Sequence, residues 1–90
     1  MQTLEKTELD ILNLLARLHG AQVTAEARHG EAVIHNASDE TVVAHYAVEG
    51  YGPTRRHRLI YRRVVLGPGR TMVDRVQDLH VVRAWMRYTN

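Results

Sequence analysis

The chain is predicted to be α+β, with an amphipathic helix over about residues 3–19 and then a five- or six-stranded, mainly antiparallel sheet or small sandwich over about 21–88. Three observations predict this. Apolar residues recur at helical spacing only ahead of Gly20. From Val23 onward the period is two. The later apolar runs are valine-rich and separated by short turns containing Gly, Pro, Asn or Ser.

In the first segment Leu4, Ile11, Leu12, Leu15 and Leu18 define an apolar face, with Asp10, Asn13 and Arg17 opposite. Thr3 or Thr7 supplies an N-cap, and Glu5 and Glu8 suit the positive end of the helix dipole. Arg17 and His19 suit the negative end, and Gly20 suits the left-handed residue that closes a helix.

Val23, Ala25 and Ala27 then alternate with polar residues, as a half-buried strand requires, and His29-Gly30 turns the chain. Residues 31–36 and 41–49 are predicted to form a hairpin about the turn residues Asn36 to Glu40. In its second arm Val42, Ala44, Tyr46 and Val48 share the core face, and Thr41, Val43, His45 and Glu49 the other. Gly50-Tyr51-Gly52-Pro53 must be a loop. The longest strand candidate, 56–66, ends at Gly67-Pro68-Gly69-Arg70. Pro68 and Gly69 fit the centre of a type II turn there, predicted to open a second hairpin. Residues 71–76 and 79–88 complete the strands. A helix drawn from Met72 to Trp85 matches the apolar positions comparably, but the abundance of valine favours strand.

The turn signals Asn36-Ala37-Ser38-Asp39 and Leu66-Gly67-Pro68-Gly69-Arg70, each ahead of a β-prone run, resemble those of immunoglobulin-like sandwiches over roughly residues 31–76. The resemblance names no functional residue and identifies no family.

Ninety residues, 44% of them hydrophobic, suffice for one domain over 1–90 with a thin stability margin. Chains of this size commonly gain burial by oligomerising. No stretch has the length of a membrane span and the first residues lack a signal-peptide layout, so a cytoplasmic protein is expected. Without cysteine there is no thiolate nucleophile, disulfide or thiolate metal site.

Charge is divided along the chain. Residues 1–50 hold eight acids and three bases, a formal −5; residues 51–90 hold nine arginines and two aspartates, a formal +7. Arg55, Arg56, Arg58, Arg62 and Arg63, interleaved with His57 and Tyr61 and preceded by Tyr51, form a segment suited to bidentate contacts with phosphate or carboxylate oxygens. The plainer reading pairs these arginines with Glu26, Glu31 or Glu49, or with the acidic part of a second copy. Near the C-terminus Trp85, Met86, Arg83 and Arg87 place interface-type side chains on both faces of one strand, which calls for a second layer or a partner.

Catalytic apparatus is not visible. The six histidines include no helical i, i+4 pair flanking a glutamate; the first hairpin allows His29 or His35 to approach His45, but isolated strand histidines are far more often hydrogen-bonded or solvated than ligating and no third ligand is evident, so no metal is assigned. Ser38 sits in a turn rather than a nucleophile elbow, the acid pairs Glu8/Asp10 and Asp39/Glu40 belong to caps and turns, and no glycine loop enters a helix, so no cofactor is assigned either. The expectation is a non-enzymatic protein-interaction module, homo-oligomeric or bound to another protein. The alternative is a nucleic-acid-binding module using the 55–63 segment.

Overall fold

A computed structural model describes residues 22–87 together with Ile11. The predicted helix over 3–19 therefore lies, apart from Ile11, outside the described residues.

Six strands follow in order: β1 (Val23–Arg28), β2 (Glu31–Asn36), β3 (Val42–Tyr51), β4 (His57–Leu66), β5 (Thr71–Asp74) and β6 (His80–Met86). They form two three-stranded antiparallel sheets, β1-β2-β5 and β4-β3-β6. Residues 80–86 are strand, so the helical alternative for 72–85 does not hold. β2 is thus the central strand of one sheet and β3 the central strand of the other.

Both predicted hairpins are overturned. β2 and β3 do not pair; β2 lies between β1 and β5 while β3 lies between β4 and β6. Likewise β5 leaves β4 and joins β2. The turn chemistry was real, but it serves sheet-to-sheet crossings, and local sequence does not distinguish a crossing from a hairpin. The hairpins present are β1–β2 and β3–β4. His29 (φ 52°) and Gly30 (φ 78°) both adopt the left-handed conformation that a two-residue hairpin loop of type I′ demands.

The two crossings are fastened to each other by Asn36, which is fully buried. Its amide nitrogen donates to the carbonyls of Glu40 (2.8 Å), Leu66 (3.2 Å) and Gly67 (3.1 Å). Its side-chain oxygen accepts from the Ser38 backbone N–H (3.0 Å) and hydroxyl (2.6 Å). Ser38 is thus a buried turn residue. The Pro68-Gly69 turn is as predicted at the local level, with Gly69 at φ 67° and the Arg70 N–H donating to the Gly67 carbonyl at 3.2 Å.

The core faces of both sheets meet around Val42, Ala44, Tyr46 and Val48, the face assigned from sequence, with Val81 beside them on β6 and Ile34 opposite on β2. Tyr46 donates its hydroxyl to Asp74 on β5 at 2.7 Å, and Arg62 reaches the same carboxylate oxygen at 3.2 Å, linking the sheets through a partly buried polar contact. Burial, then the bond to Asp74, pushes the Tyr46 phenol well above its ordinary range.

A bulge in β6 resets the phase of that strand. Gly50 pairs with Val81 and Glu49 with Arg83, leaving Val82 as the extra residue. Val81 and Ala84 both face the core as a result, and Val82, which strict alternation groups with Ala84, is 48% exposed.

Candidate functional site

The outer face of the β4-β3-β6 sheet gathers the candidate residues. Strand register sets Tyr61 and Trp85 on either side of Ala47, Leu59 and Arg83 on either side of Glu49, and Arg63 beside His45. Arg87 donates its backbone N–H to the His45 carbonyl at 2.6 Å. Val65 and Val43 extend the face at one end, and His57 and Tyr51 at the other.

Ala47 is fully buried although it points away from the core, because the side chains of the flanking strands close over so small a residue. The guanidinium of Arg87 lies 3.9 Å from the centre of the Tyr61 ring, and that of Arg83 lies 4.4 Å from the centre of the Trp85 ring. Each arginine therefore stacks on an aromatic ring. Tyr61 remains 58% exposed, Leu59 44% and Val65 48%.

Three arginines share this face with one carboxylate, Glu49, which His57 engages at 2.7 Å. The resulting positive field acts on His45. Partial burial lowers its pKa below the ordinary 6.5, and the Arg63 and Arg87 guanidinium groups lower it further. An NMR titration of the ring should place His45 below 6.5, and Arg63→Gln or Arg87→Gln should move it back upward. Because the folded value lies below the unfolded one, His45 favours folding above pH 6.5 and loses that contribution as the pH falls toward its folded value.

The remaining arginines of the 55–63 segment lie elsewhere. Arg55 and Arg56 belong to the β3–β4 loop, where Gly52 donates to the Arg56 carbonyl at 3.0 Å and Arg55 to the Gly52 carbonyl at 2.9 Å. Arg55 sits at φ 60°, a left-handed conformation that costs a non-glycine residue about 1–2 kcal/mol. Arg58 and Arg62 share the inner side of β4 with Ile60. Met86 also turns inward and packs against the core, away from Trp85.

The pairings expected with the acidic half are largely taken by other groups. Glu31 binds Arg75 at 2.8 Å, Glu26 binds Arg28, and Glu49 binds His57. Among the described residues, Arg62 of the segment pairs with Asp74, while Arg55, Arg56, Arg58 and Arg63 pair with no described carboxylate. His35 bonds to Thr71 on β5 at 2.6 Å and does not approach His45 across a hairpin, since that hairpin is absent. Among the described residues no three His, Asp or Glu side chains converge as metal ligands. No described helix is long and apolar enough to cross a membrane.

Sequence reasoning had assigned Tyr61 and Arg63 to one site and Trp85, Arg83 and Arg87 to another; β3 brings them onto a single face. It had left Leu59, His45, Ala47 and Val65 out. Their signal is parity, since all four point the same way as Tyr61 once β3 and β4 are recognised as a hairpin. The chain matches no family model, no curated protein and no solved structure.

Proposed function

We propose that the protein is a non-enzymatic interaction module that associates with a second copy of itself through β4 and the adjoining face. The observation that carries this reading is the exposure of Tyr61, Leu59 and Val65 on one strand, beside Trp85 and stacked arginines. Aromatic rings and arginine are the side chains most enriched at the energetic centres of protein contacts. A 90-residue chain also has much to gain from the added burial.

Replacing the exposed Tyr61 by lysine should leave the fold intact and weaken self-association roughly tenfold or more in sedimentation velocity. Association unchanged by both Tyr61→Lys and Trp85→Ala removes this face from the account.

A second reading is favoured by the β3–β4 loop, where Arg55 is held in a strained conformation beside Arg56 and neither meets a described carboxylate. Such a tip is suited to the phosphates of a nucleic acid, with Tyr51 at the strand end available for stacking. Binding of a random oligonucleotide that falls steeply with salt, and falls again in Arg55→Gln/Arg56→Gln, supports that reading; no binding at low salt excludes it.

A further inference from the structure

We propose that two copies join edge to edge through β4, antiparallel, about a two-fold axis that passes midway between the two Tyr61 residues. This rests on the self-association reading above and specifies its geometry.

Among the described strands, β1, β5, β4 and β6 lie at sheet edges. β5 has four residues. β1 lies across β6, and β6 is engaged at its start by the β1–β2 turn, the Val81 N–H donating to the Gly30 carbonyl at 3.0 Å. β4 is different. It runs for ten residues, pairs among the described strands with β3 alone, and is exposed along most of its length. Alternate residues of such an edge direct N–H and C=O groups outward, which makes it a template for another strand.

The second copy is selected by the order of side chains along β4. An axis perpendicular to the sheet keeps both outer faces on one side and requires that some residue pair with its own copy across the axis. Axes at Tyr61 and Arg62 engage the most strand. An axis at Arg62 sets that arginine against itself, one at Ile60 sets Arg58 against Arg62, and one at Arg63 sets Arg63 against itself. With the axis at Tyr61, Ile60 faces Arg62, Leu59 faces Arg63, Arg58 faces Val64 and His57 faces Val65. No arginine opposes an arginine, and each meets an apolar side chain along which its own stem can lie. The two sheets become one of six strands, with the two Tyr61 rings adjacent at its centre and the Trp85 regions toward its outer edges.

The absence of native cysteine makes the test direct. Directly opposed residues of an antiparallel pair have Cα atoms about 4.5–5.5 Å apart, inside the roughly 4.4–6.8 Å range of a disulfide. Mild oxidation of Tyr61→Cys should convert most of the protein to a covalent dimer. Val73→Cys, on β5 and 49% exposed, should stay at the collisional background. In case loss of the tyrosine itself weakens the dimer, Leu59→Cys and Arg63→Cys provide a second arm: neither should cross-link alone, and a mixture of the two should form the mixed disulfide. A wild-type dimer in solution that gives only background in both arms overturns the β4 geometry alone. A wild-type monomer overturns the self-association reading with it.

Discussion

Gly50→Ala is expected to lower the stability of the fold by on the order of 3 kcal/mol or more. A methyl group at this position falls 2.1 Å from the His80 carbonyl oxygen, 2.8 Å from its carbon and 3.0 Å from the Val81 Cα. All three are backbone atoms, so no side chain can rotate to relieve the contact; β6 has to separate from β3 at the bulge. That would disturb Val81 in the core and the alignment that brings Arg83 and Trp85 to the outer face. Chemical denaturation checks it, with Gly67→Ala as the control, because a methyl group there meets nothing nearer than the Arg70 Cγ at 3.6 Å. A Gly50→Ala variant as stable as the control contradicts the bulge geometry.

Asn36→Asp should have a comparable effect, about 3 kcal/mol or more at neutral pH. The two side chains are almost the same size, so packing is preserved and the loss is electrical. The amide NH2 donates to the carbonyls of Glu40, Leu66 and Gly67 in a site with no solvent exposure. A carboxylate only accepts, so three carbonyl oxygens would face a buried negative charge. The bonds accepted from Ser38 survive, which separates this variant from Asn36→Ala, where all are lost. Burial should raise the pKa of the new carboxyl group above about 4. Its folded value then exceeds the unfolded one, so the deficit relative to wild type should shrink as the pH falls through that raised value. A deficit that does not depend on pH contradicts the electrical explanation.

Most elements of the β body were legible in the sequence because side-chain alternation and turn chemistry are local, but Gly50 and Tyr51, expected in a loop, continue β3, where Gly50 admits the His80 backbone. Residues 31–36 and the face of Val42, Ala44, Tyr46 and Val48 follow from period-two patterning alone, and the turns at His29-Gly30 and Pro68-Gly69 from the conformations those residues tolerate. Sheet partnership was not legible. Asn36 looks like a hairpin residue because its side chain bonds the backbone beyond it, yet the bonds that define its role reach Leu66 and Gly67, thirty and more positions away. The β6 bulge was hidden for the same reason, since it depends on Gly50 admitting the His80 backbone.

The candidate site shows the same division. Tyr61, Arg63, Arg83, Trp85 and Arg87 were individually visible as interface-type side chains, but only the pairing of β4 and β6 with β3 makes them one surface. The charge division of the sequence suggested that the basic part meets an acidic part of a second copy. On the outer face three arginines stand around one engaged glutamate. Bringing two such faces side by side assembles like charges, so added salt should screen repulsion and strengthen the association. Pairing of opposite charges, and binding to a polyanion, would both weaken with salt.

Sedimentation velocity of the wild-type chain at low and at high salt, with absorbance recorded for co-purified nucleic acid, tests the central claim most directly. The account predicts a nucleic-acid-free dimer that persists or tightens as salt rises; a monomer at every salt concentration, or a complex that dissociates with salt, contradicts it.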